Sequence, residues 1–343
     1  MKKSQLSVFP VLFLLCGVLV LPSQTFAEDG PIKGWLKERA AQKQQKAPAP
    51  TANAGTDSTI TKAGDYTFTI THGGPRMYRV HVPVKYDPAT PTPVLFALHG
   101  GGGDMSYQAN DEHYGLISKS EREGFIAVFP NGYSKWNSGK LATWNAGSCC
   151  GDARDKNIDD VGFIKEVVGN VTRQLNVDRN RIFATGMSNG GMMSYRLACE
   201  LSDMFNGIAS VAGTDGTTTC HPKKPISILH IHAKNDDHVL FNGGAGEKAF
   251  RDESKVTNFV SVPTTISKWV KTNSCNPTPK RILEKPGVYC DRYSQCQGNV
   301  KVQLCATDTG SHSWPGGVKT RGSEPTSKAI SANDVMWDFF MGK

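Results

Sequence analysis

From residue 60 onward the sequence predicts an α/β fold, with a mainly parallel sheet covered by helices on both faces. Short apolar runs alternate with longer segments whose apolar residues recur at helical spacing. Glycine-rich or polar loops follow several of these runs, at the edge where the carboxyl ends of parallel strands meet. In chain order the predicted elements are strands 66–70, 76–84 and 94–98, helix 112–123, strand 125–129, helix 160–175, strand 181–185, helix 190–201, strands 207–212 and 226–231, helix 264–271, strand 300–306 and helix 332–341.

The early strands differ from the later ones. Strands 66–70 and 76–84 are expected to be antiparallel, whereas the apolar run 94–98 predicts a buried strand. From that run onward strands and helices alternate, as they do when helices cross over between parallel strands. No internal repeat or second linker interrupts the pattern, so residues 60–343 are expected to form one domain.

The N-terminus indicates export. Two basic residues, Lys2 and Lys3, precede the apolar run 8–21, and cleavage is expected near the small residue Ala27. The run contains a proline and a glycine and is shorter than the ~20 residues that span a bilayer, so we expect no stable membrane anchor. We predict a signal peptide over residues 1–27 and a secreted or periplasmic protein.

Residues 28–59 are predicted to form a linker of low order, because the stretch 47–55 (APAPTANAG) cannot support a core. Loss of the signal peptide removes two lysines and no acids, so the formal charge falls from +8 to +6. The remaining basic residues are dispersed, without a run of five or an aromatic stripe. We therefore expect no nucleic-acid partner.

Eight cysteines remain once Cys16 leaves with the signal peptide, and an even number in an exported chain predicts disulfides. Cys149 and Cys150 are expected to take separate partners, because adjacent Cα atoms lie only ~3.8 Å apart. Zinc binding is not favoured, since no C-x-x-C pair accompanies a matching Cys or His pair. Cys199 and Cys220 form a second group, and at least one bridge is expected within the third group, Cys275, Cys290, Cys296 and Cys305.

The pentapeptide Gly186-Met187-Ser188-Asn189-Gly190 places a serine between a predicted strand and a predicted helix. The G-x-S-x-G pattern alone is weak, because it arises by chance in roughly one such chain in four. Its flanks supply the strand–turn–helix context that presents a nucleophile, and the two outer glycines remove side chains that would collide there. We predict that Ser188 is a nucleophile. The alternative is that the glycines only relieve packing.

The segment His99-Gly100-Gly101-Gly102-Gly103 directly follows strand 94–98. Its backbone N–H groups suit an oxyanion hole, which holds the negative charge of a tetrahedral intermediate in acyl transfer. The expected donors are the N–H groups of Asn189 and Gly101, with Gly102 as an alternative. A phosphate cradle is less favoured, since no G-K-[ST] follows.

Asp236 follows the predicted strand 226–231, where a carboxylate could orient a catalytic imidazole. Asp237 is its rival. The nearby His230, His232 and His238 could form a metal site, but two of them alternate along a buried strand and core or supporting roles are favoured.

His312 lies in the loop GSHSWPGG, after strand 300–306, where a general base could meet the nucleophile. The chain order Ser188, Asp236, His312 is that of α/β-hydrolases. A structural histidine is the alternative. This order predicts a Ser-His-Asp triad.

Five segments, four of which contain the candidate site residues discussed above, together resemble the secreted polyhydroxybutyrate depolymerase and feruloyl esterase-like family. The resemblance covers nearly all of residues 60–343, and the segments are given at the end of this paragraph. The resemblance implies an α/β-hydrolase without a large lid or cofactor, with Ser188 as nucleophile, Asp236 as orienting acid and His312 as base. Ala233 departs from the pattern, since members commonly have His-Gly before the acid. The segments are LHGGGGD (98–104), SCCGDARDKNIDDVGFI (148–164), RIFATGMSNGGMMSYRLACELSDMF (181–205), HIHAKNDDHV (230–239) and GSHSWPGG (310–317).

The resemblance implies an exported carboxylic ester hydrolase that cleaves polyhydroxybutyrate-type polyester or its oligomers. The alternative substrate is a feruloyl or acetyl ester of plant-wall polysaccharide. A function of another class is a secreted polymer-binding protein on an inactive hydrolase scaffold, against which the complete triad argues. We expect a monomer with an ester substrate and no metal, and a substrate pocket lined by Trp314, Trp144, Trp136 and Tyr133, although ordinary packing is the alternative for each.

Overall fold

The computed structural model describes residues 59–249, 257–318 and 324–343. The predicted signal peptide and all but the last residue of the predicted linker lie outside the described residues, and both remain predictions. The described residues form a ten-stranded sheet in the order β1-β2-β4-β3-β5-β6-β7-β10-β9-β8. Its strands are β1 (Gly64–Thr71), β2 (Pro75–Val82), β3 (Thr92–Leu98), β4 (Ile126–Pro130), β5 (Val177–Met187), β6 (Gly207–Val211), β7 (Ser227–Ala233), β8 (Lys280–Lys285), β9 (Val288–Tyr293) and β10 (Val302–Thr307).

The middle of the sheet is parallel from β4 through β3, β5, β6 and β7 to β10. Antiparallel pairs flank it, β1–β2–β4 at one side and β10–β9–β8 at the other. The α/β class with a mainly parallel sheet is confirmed. The helices are α1 (Met105–Gln108), α2 (Asp111–Tyr114), α3 (Leu116–Glu123), α4 (Gly151–Asp155), α5 (Asp160–Gln174), α6 (Asn189–Glu200), α7 (Val262–Thr272) and α8 (Ala332–Met341).

Two apolar layers cover the sheet, one on each face. Successive side chains of a strand point to opposite faces, so Phe96 joins the layer that contains α5, α6 and α7, whereas Leu95 joins the layer that contains α3 and α8. Every residue of β3 is buried, which explains why its sequence is apolar without alternation. The central strands therefore have helices on both sides and meet solvent only at their ends.

The short helices α1 and α4 were not predicted, and two further features also differ from the sequence prediction. The predicted helix 112–123 is divided at Gly115, whose φ of 63° ends α2 and leads into α3. The hairpin of β8 and β9 was not predicted, although a Pro-Gly pair marks its turn and Gly287 has a φ of +83°. The helix break and the hairpin turn each contain a glycine whose φ lies in the left-handed region, which other residues rarely adopt.

Four disulfides join all eight cysteines of the described residues. The expected bridge in the C-terminal group is confirmed twice, as Cys275–Cys296 and Cys290–Cys305, and Cys199 pairs with Cys220. The prediction that Cys149 and Cys150 take separate partners was wrong. The two are bonded to each other across a cis peptide bond, since the other six cysteines pair among themselves.

None of the helices among the described residues is both long and apolar enough to cross a bilayer.

Candidate active site

Ser188 stands on the sharp turn between β5 and α6. Its backbone has φ 55° and ψ −121°, a strained combination for a residue with a side chain. A Cβ at residue 186 would collide with the backbone of Gly190, and a Cβ at residue 190 would collide with the carbonyl groups of Leu98 and His99. The two glycines therefore allow the turn to close tightly against the end of β3, and the serine projects from it.

The glycine loop after β3 lies directly against this turn. A Cβ at Gly100 would lie 3.6 Å from Ser188 Cβ, and a Cβ at Gly101 would lie 3.6 Å from Asn189 Cβ. Gly102 N–H already donates to Ala142 O at 2.8 Å, which removes Gly102 as an alternative oxyanion donor. Among the described residues, no acceptor is bonded to the N–H groups of Gly101 and Asn189. Two adjacent N–H donors thus stand beside the serine.

His99 fixes the glycine loop. Its Nε2 accepts a hydrogen bond from Gly132 N–H at 2.9 Å, so the proton lies on Nδ1, which donates to Gly100 O at 2.9 Å. Burial lowers the pKa of His99 to about 4, and the ring is uncharged at neutral pH. Gly103 N–H also donates to Gly100 O. The carbonyl of Gly100 is held on both sides, and this orients the peptide that carries Gly101 N–H.

The Asn189 side chain has a separate role from its backbone. Its Oδ1 accepts from Trp144 N–H at 2.7 Å, and its Nδ2 donates to Trp144 O at 3.0 Å. Trp144 is fully buried, and its Nε1–H donates to His99 O at 3.0 Å. The prediction that Trp144 lines a substrate pocket was wrong, since the side chain is enclosed and ties Asn189 to the glycine loop.

Asp236 and His312 are brought together from the loops after β7 and β10. His312 Nδ1 donates to Asp236 Oδ2 at 2.9 Å. Asp236 Oδ1 also accepts from the N–H groups of His238 and Val239, at 2.8 and 2.9 Å. Burial alone would raise the pKa of Asp236, but His312 and the hydrogen bond from His232 outweigh it and hold the pKa well below its usual range. Asp236 is a buried carboxylate that orients the imidazole, and its rival Asp237 makes no such contact with His312.

Behind Asp236 lies a buried chain of hydrogen bonds. Tyr195 Oη meets His230 Nδ1 at 2.8 Å, His230 Nε2 meets His232 Nδ1 at 3.0 Å, and His232 Nε2 meets Val239 O at 2.8 Å and Asp236 Oδ2 at 3.2 Å. With all three side chains uncharged, each proton points toward Asp236. Burial and the neighbouring His232 lower the pKa of His230. His230 and His232 support the acid, as the sequence favoured, and each of their ring nitrogens has a hydrogen-bond partner within the protein.

His238 packs on His312, with ring centroids 4.5 Å apart and planes inclined by 16°. Ligand atoms of Asp236, His238 and His312 lie within 4.8 Å of one another. However, the in-plane lone pairs of two nearly parallel rings do not converge on one point, as the ligands of a metal ion must. This arrangement fits a stacked pair better than a metal centre.

The remaining predicted residues lie in different environments. Trp314 is buried, with Nε1–H on Asn333 Oδ1 at 3.0 Å, so its predicted pocket role was wrong for the same reason as that of Trp144. Trp136 is 54% exposed. Tyr133 lines a cavity of about 360 Å³ together with residues that include Arg76 and Asp159. No hydrogen bond joins the Ser188 hydroxyl to His312 within the described ranges; such bonds often form only when substrate binds.

A nucleophile turn after β5, an acid loop after β7 and a histidine loop after β10 occur together on one parallel sheet. This fold and order define an α/β-hydrolase of the serine esterase class. The chain belongs to the esterase family described as "Putative esterase", whose profile matches residues 70–274.

Known proteins of similar sequence or fold carry esterase names. A probable feruloyl esterase C of Aspergillus clavatus is 31% identical over 280 residues, which cover 79% of this chain and 85% of the relative. Feruloyl esterase B of Piromyces equi is 35% identical over 175 residues, 49% of this chain, and the match spans only 31% of that relative's length. An acetyl xylan esterase from Aspergillus awamori has a similar fold, with a TM-score of 0.55, 13% identity, and coverage of 81% of this chain and 99% of the other.

Proposed function

We propose that this protein hydrolyses carboxylic esters through Ser188, His312 and Asp236. The observation that carries the proposal is the bond from His312 Nδ1 to the buried carboxylate of Asp236, at the sheet edge where Ser188 occupies the nucleophile turn. That bond leaves His312 Nε2 free to act as a base. The geometry of the turn, the acid and the histidine supports a covalent acyl-enzyme route.

In this route His312 Nε2 takes the proton of Ser188 as the serine oxygen attacks the ester carbonyl. The N–H groups of Asn189 and Gly101 hold the resulting oxyanion. His312 then returns the proton to the departing alcohol, and an acyl-enzyme forms. Water, deprotonated by the same histidine, attacks the acyl group and releases the acid.

Two substrate classes are candidates. The sequence resemblance favours polyhydroxybutyrate-type polyester or its oligomers. The relatives named feruloyl esterase, and one named acetylxylan esterase/xylanase, favour hydroxycinnamoyl or acetyl esters of plant-wall sugars. Export, which the N-terminal sequence predicts, suits either polymer, and four disulfides are typical of proteins outside the cytosol. We propose that the enzyme acts outside the cytosol as a monomer.

The first experiment compares Ser188→Ala with the matched variant Ser267→Ala, which changes an exposed serine on α7. Hydrolysis of p-nitrophenyl acetate is expected to fall by more than about 10³-fold in Ser188→Ala, because no other group replaces the nucleophile. Ser267→Ala is expected to keep the original rate. Retention of activity by a folded Ser188→Ala protein would rule out the proposed nucleophile.

The second experiment compares initial rates on soluble 3-hydroxybutyrate oligomers, methyl ferulate and acetylated xylan, each at matched concentrations of ester. Turnover of the oligomers alone would assign the polyester class, and turnover of the other two alone would assign the sugar-ester class. If p-nitrophenyl acetate is cleaved and none of the three natural esters is, both substrate proposals fail and only the chemistry stands.

A further inference from the structure

We propose that His238 is a positioning residue for this reaction: its uncharged ring, stacked on His312, keeps the base aligned and leaves it free to accept the proton of Ser188. The inference rests on the proposed function of His312. It assigns a role to a side chain that the triad itself does not require.

The two histidines form parallel pairs with consecutive aspartates. His312 Nδ1 donates to Asp236 at 2.9 Å, and His238 Nδ1 meets Asp237 Oδ1 at 2.8 Å. The ring centroids are 4.5 Å apart and the planes are inclined by 16°. Each imidazole is therefore held by its own carboxylate, and each ring limits the tilt of the other.

Asp237 connects both histidine loops. In addition to His238, it accepts from Ser311 Oγ at 2.7 Å and from Lys248 Nζ at 2.8 Å. Ser311 immediately precedes His312, and its N–H donates to Asn235 Oδ1 at 2.9 Å. One carboxylate thus fixes His238 and the residue next to His312, so the stack is set by hydrogen bonds that cross between the loops after β7 and β10.

The charge on His238 determines whether its stacking on His312 favours or opposes the protonation of His312 during catalysis. The charged and titratable groups near it are Asp236, Asp237 and His312, with Lys248 on the far side of Asp237. Burial and the adjacent His312 lower the pKa of His238, even though Asp237 acts in the opposite direction. His238 is therefore uncharged at neutral pH and becomes charged only in acid.

Proton transfer from Ser188 makes His312 an imidazolium. An uncharged His238 presents a ring face to that cation, whereas a protonated His238 places a second positive charge 4.5 Å away, by ring centroids. Repulsion between like charges at such a distance would slow the reaction by about fivefold if the pair is as well screened as in bulk water and by about 10³-fold with the weaker screening near a protein surface, equivalent to roughly 1 and 4 kcal/mol. The proton on His238 should therefore depress catalysis in acid, in addition to any proton on His312.

The test compares His238→Phe, His238→Ala and the matched control His221→Phe, whose histidine is exposed and outside the site. The readout is kcat/KM on p-nitrophenyl acetate from about pH 4.5 to pH 9. In the unmodified protein and in His221→Phe, we expect two ionisations in the acid limb. His238→Phe keeps a stacked ring that cannot be protonated, so the ionisation of His238 should disappear while kcat at pH 8 stays within about threefold. His238→Ala should also lose that ionisation, with kcat reduced about tenfold.

An acid limb of unchanged shape in His238→Phe would overturn the proposal, because a side chain that only fills space does not alter a pH profile. Equal kcat values for His238→Ala and His238→Phe at pH 8 would overturn the alignment role. Labelling by a fluorophosphonate probe tests the nucleophile Ser188 separately from the role of His238. Labelling that Ser188→Ala abolishes supports the proposed nucleophile whatever His238 does, whereas labelling that persists in Ser188→Ala overturns the function on which this inference rests.

Discussion

At the scale of single residues, the sequence predicted the triad with Asp236 as its acid but did not exclude the neighbouring Asp237. The choice depends on which carboxylate the loop after β7 turns inward, and adjacent residues in a loop share almost the same sequence context. In the structure two backbone N–H groups, those of His238 and Val239, bond Asp236 Oδ1 and turn that side chain inward. Asp237 is left on the solvent side with Lys248.

We expect Asp236→Asn to lower kcat by about 10⁴-fold, because an amide cannot hold His312 in the tautomer that leaves Nε2 free. Asp237→Asn is expected to have a much smaller effect. Rates on p-nitrophenyl acetate at pH 8, with circular dichroism to verify folding, check both variants. If Asp237→Asn loses as much activity as Asp236→Asn, the orienting acid has been assigned to the wrong carboxylate.

Asp236 should also make stability depend on pH. Its pKa is lower in the folded protein than the ordinary value of about 3.9, so the stabilisation is fully present above that value and is lost as the pH falls below it. The free energy of unfolding of Asp236→Asn should therefore lie further below that of the unmodified protein at pH 7 than at pH 3. Urea denaturation at the two pH values measures this, and an equal difference at both would contradict the lowered pKa.

At the scale of helices and strands, the sequence predicted the elements with strong periodicity and missed those that depend on distant contacts. The central strands contain short apolar runs, and their alternation with helical segments predicted a mainly parallel sheet. The outer hairpin is different: β8 is exposed along nearly its whole length, so no apolar pattern indicated it. It exists because it pairs with β9, which pairs in turn with β10.

The bridge Cys290–Cys305 links directly opposite residues of β9 and β10, 15 residues apart in sequence. Replacing both cysteines by alanine is expected to lower the free energy of unfolding by about 3 kcal/mol, through the greater freedom of the unfolded chain. Urea denaturation should show a lower midpoint while the folded protein still cleaves p-nitrophenyl acetate. An unchanged midpoint and slope would show that strand pairing alone holds the hairpin.

At the scale of the whole molecule, the sequence predicted that the candidate site residues meet at one edge, because each loop that carries one of them follows a strand of one parallel sheet. It could not supply the contacts that hold the loops, such as the stack of His238 on His312 or the clamp between Asn189 and Trp144. Both contacts join residues from separate segments of the chain, so they form only when the folded chain brings those segments together. For the same reason their positions in the chain, beside His312 and on a preceding loop, could not show that Trp314 and Trp144 are enclosed.

Residues 60–343 are predicted to fold as one domain, and the first residue of that domain is held by a defined contact. Ile60 is buried, and its N–H donates to Gln174 O at 2.8 Å, beside the end of α5. A chain that starts at residue 58 is therefore expected to keep the melting temperature and the esterase rate of the longer chain, whereas one that starts at residue 63 should melt at a lower temperature. Differential scanning calorimetry of both would decide, and equal melting temperatures would show that Ile60 contributes nothing.

The exposed hairpin strand β8 has a consequence for the protein in concentrated solution. An outermost strand presents unpaired backbone groups that another molecule can extend into an intermolecular sheet. In β8 four of six residues are charged, Lys280, Arg281, Glu284 and Lys285. A second molecule that paired a strand with β8 would have to remove water from these charged side chains, which is costly. We therefore expect the outer edge formed by β8 to resist pairing with a second molecule, and so to keep the folded protein dispersed at high concentration.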